Sequence, residues 1–256
     1  MASRKECFIT ISVALTSWHR SFRTIVLVHH LNAQRIHWPL CYVACVLEMV
    51  GPDDDPVAKE IVSLIGNIQS LSFQKNTLDA GNWWEEVVKI AFLLRFVQSA
   101  NVWREGPFGL CDGYEAHGAA VLAKRLGPGT RAVSAAKKEI HSELGKLTDG
   151  CHLVLFYPSH PNSLEQFDGY VAFIKVENGS SGNSRIIGYQ CKAGRESSFG
   201  IRKPSWLHKA ILLRGEVNGG RAAFPRGWAH ASGEEVKAFL GFSLAMLYDL
   251  HMMETD

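Results

Sequence analysis

The sequence predicts an α+β (α/β) fold: a helical N-terminal half, then a small β-sheet, then a closing helix. Apolar residues recur at helical spacing through the first hundred positions, and from Cys151 onwards the chain changes to short β-prone runs separated by turn residues. The composition, 46% apolar and 20% charged over 256 residues, is that of a packed globular protein and excludes a disordered chain.

The helical half contains three apolar-periodic segments, and a fourth follows a Gly-rich stretch. They are "PLCYVACVLEMV" (39–50), "VAKEIVSLIGNIQSL" (57–71), "WWEEVVKIAFLLRFVQSA" (83–100) and "AVSAAKKEIHSELGKL" (132–147). In the third, apolar side chains recur every three or four residues and widen into a broad face, which predicts a central helix.

Four β-prone runs follow, with the turn signal "ENGSSGNS" (177–184) between the second and third. The runs are "CHLVLFYP" (151–158), "GYVAFIKV" (169–176), "SRIIGYQCK" (184–192) and "KAILLRGEV" (209–217). The last apolar-periodic segment, 233–251, predicts the closing helix.

The cysteines and the N-terminus indicate an intracellular setting. The six cysteines show no CxxC pair, which favours reduced thiols. Basic residues precede an apolar stretch at the N-terminus, but Glu6 and the lack of a small-residue cleavage site argue against classical secretion. No apolar run is long enough to cross a bilayer, so we expect no membrane partner.

Polar residues end the predicted hairpin. Side chains alternate across a strand, so Gln190 and Lys192 share one face, and an antiparallel return places Asp168 beside them. A carboxylate and an amide oxygen suit Mg²⁺, and Lys192 could steady the charge that develops on a phosphate. This set predicts metal-dependent hydrolysis of a phosphodiester.

The Asp…QxK pattern resembles the PD-(D/E)xK, or restriction-endonuclease-like, superfamily. The combination of "GNWWEEVV", "FDGYVAF" and "GYQCKAG" is most similar to the nuclease domain of Crinkler and retrotransposon hot spot effector proteins. The resemblance implies a helical region over 1–78 and, over 79–256, a nuclease core of a small mixed sheet flanked by helices.

The resemblance also implies the active site and its setting. Glu85 would join Asp168 and Gln190 as a ligand of Mg²⁺ or Mn²⁺, with Lys192 as the fourth catalytic residue. The substrate would be DNA, the location the nucleus or a host-cell nucleus, and possible partners an upstream ATPase module or a host protein.

Two departures from the family pattern keep an alternative open. The superfamily usually has Glu where this chain has Gln190, and no GxxxxGK[ST] sequence of an ATPase occurs here. A neutral amide holds a metal less tightly than a carboxylate. The alternative is a catalytically inactive nuclease-fold module that binds DNA or a host protein as an effector.

Each candidate residue also has a structural interpretation. Glu85 follows Asn82 by three residues and would close a capping box if Asn82 were the N-cap, and Glu86 in the same turn is the other candidate for the site. Asp168 could be a turn residue, Gln190 a hydrogen-bonded polar group and Lys192 an exposed strand end.

Charge distribution is the remaining argument for a nucleic-acid partner. The chain carries a net charge of only +2. Between Arg185 and Arg226, however, nine Lys or Arg face only two acids, Glu196 and Glu216. This segment follows the proposed site, so we expect it to meet a phosphate backbone, with Phe199 and Trp206 packing on sugar or base.

Overall fold

The computed structural model describes residues 56–71, 77–98, 108–109, 119–159, 166–182, 184–192, 202–214, 227–231, 235–240 and 244. The helix predicted at 39–50 lies outside these residues. Residues 235–240 and 244 are helical, in agreement with the predicted closing helix.

Three helices have defined bounds: α1 (Pro56–Leu71), α2 (Thr77–Gln98) and α3 (Val133–Leu144). All three were predicted, but α2 begins six residues earlier than expected. Gly81, which disfavours helix by about 1 kcal/mol, lies within it, so packing of the helix outweighs local propensity.

Seven strands form one mixed sheet. They are β1 (Ala120–Leu126), β2 (Gly150–Pro158), β3 (Gly169–Glu177), β4 (Ser180–Ser181), β5 (Arg185–Lys192), β6 (Lys209–Arg214) and β7 (Trp228–His230). Six of them lie in the order β1-β2-β3-β5-β6-β7, and β4 pairs with the end of β3. The expected mixture of helices with a mixed sheet is therefore confirmed, whereas β1, β4 and β7 were not predicted.

The strand directions place most strand ends along one edge. β1 is parallel to β2, β3 is antiparallel to both β2 and β5, and β5, β6 and β7 are parallel to one another. We call the edge where β1, β2, β5, β6 and β7 end and β3 begins the Asp168 edge. It is formed by Leu126, Pro158, Gly169, Lys192, Arg214 and His230.

Helices cover both faces of the sheet. On one face α1, α2 and the 235–240 helix pack on side chains such as Leu155 and Ile211, and on the other α3 packs on residues such as Phe156. The α1 helix shares the core of α2 through Ile61 and Leu64. The proposed division between residues 78 and 79 falls in the first turn of α2 and stays a prediction.

Tight turns and buried contacts fix the central part of this sheet. Asn178 and Gly179 both have positive φ, 53° and 69°, the conformation of a two-residue hairpin turn, which confirms the predicted turn. On the α2 face the indole of Trp84 donates a hydrogen bond to the carbonyl of Leu213, with a distance of 3.2 Å. This bond joins α2 to β6.

Two glycines and two aromatic rings set the pairing of β3 with β5. The ring of Tyr189 crosses Gly169, and a Cβ at Gly169 would lie 2.3 Å from the Tyr189 hydroxyl oxygen and 2.7 Å from the carbonyl oxygen of Phe156. On the other face the ring of Phe167 covers Gly188, where a Cβ would lie 2.7 Å from two ring carbons. A side chain at either glycine would displace the opposing aromatic ring.

We predict that Gly169→Ala lowers the free energy of unfolding by about 1 to 3 kcal/mol, the usual cost of overpacking. The new Cβ would clash with both a fixed ring and a backbone oxygen. Urea denaturation measures the change.

Gly66→Ala is the matched control, because no atom lies within 4 Å of a Cβ built at this position in α1. It should stabilise the protein by up to about 1 kcal/mol through helix propensity. Equal effects of the two substitutions would contradict the packing described for Gly169.

Candidate active site

Asp168 is fixed to β5 by two hydrogen bonds. Its backbone N–H donates to the carbonyl oxygen of Tyr189 at 2.9 Å, and its carboxylate Oδ2 accepts from the backbone N–H of Cys191. Asp168 is thus bonded to Tyr189 and Cys191, the residues on either side of Gln190 in β5. The predicted antiparallel pairing is confirmed, and so is the placement of Asp168 beside the end of β5.

Gln190, the residue before Cys191, has a buried amide oxygen. Tyr189 and Cys191 belong to the core on the α2 face, so alternation puts Gln190 on the α3 face. Gln190 Oε1 has no hydrogen-bond partner among the described residues. The interpretation of Gln190 as a hydrogen-bonded polar group therefore does not hold for this oxygen, and a buried acceptor without a partner destabilises a fold by about 1 to 3 kcal/mol.

Lys192 is described only by its backbone. It is the last residue of β5 and pairs with Arg214, the last residue of β6, so its backbone lies at the Asp168 edge. The side chain lies outside the described residues, and its approach to Asp168 stays a prediction.

Glu85 approaches from the opposite face of the sheet. It is 4% exposed and lies on α2, whereas Gln190 lies on the α3 face. The capping-box interpretation is wrong: α2 begins at Thr77, so Asn82 lies inside the helix and is not its N-cap. A ligand set that includes both Glu85 and Gln190 can form only at the strand ends, where Asp168 lies.

Glu86 is held within the helical layer. Its Oε1 accepts a hydrogen bond from Lys89 at 2.7 Å in a buried ion pair, and its Oε2 accepts one from the amide of Asn67 on α1 at 3.3 Å. Both carboxylate oxygens thus have structural partners. Of the two adjacent glutamates, Glu85 remains the candidate for the site.

Tyr189 is a residue of this region that the sequence did not single out. It is completely buried, and its hydroxyl has no hydrogen-bond partner in the described part of the chain. Burial, and then the nearby Cys191 thiol, raise the pKa of this hydroxyl well above its ordinary value. The carboxylates of Asp168, Glu85 and Glu86 raise the same pKa further, which places all three within electrostatic range of one hydroxyl.

A polar cleft lies beside the end of β2, the strand that pairs with β3. The last paired residues of β2 and β3 are Phe156 and Tyr170, and two positions further on the chains reach Pro158 and Asp168. Pro158 lines a cleft of about 340 Å³ between α1, α2 and the ends of β1 and β2. The other lining residues are Glu60, Ser63, Leu64, Asn67, Asn82, Glu86, Lys89, Arg125, Tyr157 and Ser159.

Charges within the cleft are paired. Arg125 lies 3.1 Å from Glu60 and donates a hydrogen bond to the Tyr157 hydroxyl at 3.3 Å, while Lys89 is bound to Glu86. Burial is the main cause that raises the pKa of Tyr157 above its ordinary value. The cleft is therefore lined by polar groups without a net excess of either charge.

The region offers few carboxylates to a metal. Across the residues that the structure describes, no three His, Cys, Asp or Glu side chains are grouped closely enough to hold a metal ion. Two oxygen donors belong to neighbouring residues of the strand pair: the Asp168 carboxylate, which accepts the Cys191 N–H, and the buried amide oxygen of Gln190. Both are hard oxygen donors of the kind that Mg²⁺ accepts, with water and phosphate completing its shell.

Among the described residues of the basic segment 185–226, several lie away from this site. Arg185 and Lys209 begin β5 and β6, so they lie at the end of the sheet opposite Lys192 and Arg214. Lys203 belongs to the same far end: burial lowers the pKa of His208, and the charges of Lys209, Arg185 and Lys203 lower it further. These three residues therefore lie away from the Asp168 edge, and the contact of segment 185–226 with a phosphate backbone stays a prediction.

Two aromatic residues of that segment, Phe199 and Trp206, were expected to pack on sugar or base. Trp206 packs on the α3 face, 5.5 Å from the ring of Tyr170 and 5.9 Å from that of His141. Its partly buried ring belongs to the core on that face. Phe199 lies outside the described residues.

Comparison with known proteins leaves the family open. No protein-family model matches this chain, and neither the curated proteins nor the solved structures contain a match. Within the described segments, no helix has the length and apolar character needed to span a membrane. The class that the structure itself defines is an α/β/α protein with a mixed sheet.

We predict that Lys89→Met lowers the free energy of unfolding by about 3 to 5 kcal/mol, because it leaves the buried Glu86 carboxylate without its cation. Adding Glu86→Gln should restore most of the loss. Chemical denaturation of the single and double variants measures both changes.

Lys124→Met is the matched control, since Lys124 forms an exposed pair with Glu143 at 3.4 Å. Its removal should change stability by less than about 1 kcal/mol. If Lys89→Met were as mild as Lys124→Met, Glu86 would not depend on Lys89 and would again be a candidate for the site.

Proposed function

We propose that the protein is a metal-dependent nuclease with a restriction-endonuclease-like core that hydrolyses phosphodiester bonds in DNA. The observation that carries the proposal is a carboxylate, that of Asp168, bound to the N–H of Cys191 at the end of an antiparallel strand pair, next in sequence to Gln190, whose Oε1 is buried and has no partner among the described residues. The order of a helix bearing Glu85, then Asp168, then the QxK strand agrees with the superfamily pattern.

The residues present fit a Mg²⁺ or Mn²⁺ ion. Asp168 and Gln190 would hold it through oxygen atoms, and Glu85 would complete or orient the ligand shell from the α2 side. The Oδ2 atom of Asp168 already accepts one N–H, but a carboxylate has about four lone-pair positions and can accept both a hydrogen bond and a cation. When bound, such an ion lowers the pKa of water and offsets negative charge on a phosphate.

The remaining steps belong to the chain itself. Asp168 positions the attacking water by accepting its hydrogen bond, and Lys192 stabilises the charge that develops on the phosphate. The cleft beside Pro158 gives room for a nucleotide that flanks the scissile bond, and its paired charges suit a neutral base rather than a second phosphate. The resemblance to effector nucleases implies a nuclear location, in this cell or in a host, which is part of the same proposal.

The second candidate is a nuclease-fold module that binds DNA or a host protein without cleaving. Two observations favour it. Gln190 is a neutral ligand where a carboxylate would hold the ion more tightly. The described residues also contain no group of three acidic or imidazole ligands.

We predict that Asp168→Asn abolishes Mg²⁺-dependent cleavage of supercoiled plasmid, by a factor on the order of 100 or more. Asn keeps an oxygen that can accept the Cys191 N–H, so the strand pair is retained while the negative charge is lost. Asp168→Ala would remove both and is the less informative variant.

Gln190→Glu separates the two candidates. For an active enzyme it should raise Mg²⁺ affinity by about tenfold or more, because ligand charge sets affinity at oxygen sites. For the binding module, the wild type would bind DNA without cutting and Gln190→Glu would gain cleavage. Absence of cleavage by both proteins, with either metal, would contradict the nuclease proposal.

We predict that only basic residues at the Asp168 edge contribute to DNA affinity. A Lys192→Gln, Arg214→Gln protein should bind DNA more weakly, and the slope of log affinity against log salt should fall by about one per lost phosphate contact. An Arg185→Gln, Lys209→Gln protein removes the same charge from the opposite strand ends and should bind like the wild type. Fluorescence anisotropy at several salt concentrations measures the affinity of both double variants for DNA. Equal losses of affinity in the two proteins would show that DNA does not bind at the Asp168 edge.

A further inference from the structure

Tyr189 presents a buried donor between the two halves of the proposed site. Its ring lies on the α2 face and crosses Gly169, the residue after Asp168, so that its hydroxyl reaches the Asp168 edge. The hydroxyl is fully buried and has no hydrogen-bond partner among the described residues. A buried hydroxyl without a partner destabilises the fold, and a partner present in the functional state would account for it.

The surroundings define what that partner is. Phe92 follows Glu85 by two turns of α2, and its ring packs on that of Tyr189 with centroids 4.8 Å apart, so Glu85 lies on the helix that the Tyr189 ring contacts. A tyrosine hydroxyl carries its proton at ordinary pH and can donate one hydrogen bond. A carboxylate is the acceptor that such a donor binds most strongly.

We propose that Tyr189 is a positioning residue of the metal site, whose hydroxyl donates a hydrogen bond to the Glu85 carboxylate and orients it towards the ion. The inference rests on the proposed nuclease function and extends it. It also explains how a carboxylate on the α2 face can act with Asp168 and Gln190, because Tyr189 is the side chain that reaches from that face to the strand ends. Outer-shell donors of this kind fix the orientation of metal-binding carboxylates.

The substitution Tyr189→Phe tests the role with little disturbance to packing. The ring is held by Phe92, with ring centroids 4.8 Å apart, and by its position over Gly169, and phenylalanine preserves both contacts. A purely structural hydroxyl without a partner would be lost without harm, so the urea midpoint should stay unchanged or rise. If the hydroxyl positions Glu85, its removal weakens metal binding even when the stability of the protein is unchanged.

The experiment is calorimetric titration of Mn²⁺ into the full chain, beside plasmid cleavage and urea denaturation of the same samples. We expect Tyr189→Phe to weaken Mn²⁺ binding by about 10-fold to 100-fold and to slow cleavage to a similar extent, with no loss of stability. Tyr170→Phe is the matched control: this tyrosine is equally buried on the neighbouring strand but packs against Phe167 and Trp206 on the α3 face. It should bind Mn²⁺ like the wild type.

Each outcome decides between the two proposals. Wild-type Mn²⁺ affinity in the Tyr189→Phe protein, together with normal cleavage, would overturn the role of Tyr189 and leave the nuclease proposal intact. Equal weakening in the Tyr170→Phe protein would show a general effect of removing a buried hydroxyl and would also overturn it. A wild type that neither binds Mn²⁺ nor cleaves DNA would overturn both.

Discussion

The site depends on the two hydrogen bonds that Asp168 makes to β5. One continues the backbone ladder to Tyr189, and the other replaces a backbone acceptor by the side-chain oxygen that binds the Cys191 N–H. These bonds hold a carboxylate within one residue of the buried Gln190 amide. The structural interpretation of Asp168 and the catalytic one are therefore compatible, since the same oxygen-rich group can end a strand pair and bind a cation.

Packing on both faces of the sheet protects this arrangement. Tyr189 fills the space over Gly169 on the α2 face, and Phe167 fills the space over Gly188 on the other, so a slip of β3 against β5 would place a ring against a side chain. A close-packed core resists such a slip because neither ring has a vacant position to enter. The hairpin register, rather than any single contact at the edge, brings the polar groups together.

Much of this fold follows from local patterns that the sequence displays. Helical periodicity predicted α1, α2 and α3, and the Asn178-Gly179 turn between two β-prone runs predicted the hairpin. The adjacency of Asp168 and Gln190 followed from that hairpin alone. Strand β1 was missed because most of its residues are Ala, Leu, Lys and Arg, which favour a helix. It forms a strand because it pairs with β2, a contact that local propensity does not include.

Features set by distant contacts could not be predicted in this way. The far location of Arg185 and Lys209 depends on strand direction, which a count of charges along the chain does not contain. The commitment of Glu86 to Lys89 and Asn67 depends on how α1 lies against α2. The position of Tyr189 needed the exact opposition of a glycine and a tyrosine across two strands.

A crystal structure of the protein soaked in Mn²⁺, with anomalous data collected near the manganese edge, tests the central claim most directly. The account predicts an anomalous peak bound to oxygen atoms of Asp168 and Gln190, at about 2.0 to 2.3 Å from each. A structure in which Mn²⁺ binds only elsewhere, with Gln190 Oε1 accepting a hydrogen bond from the protein, would contradict it.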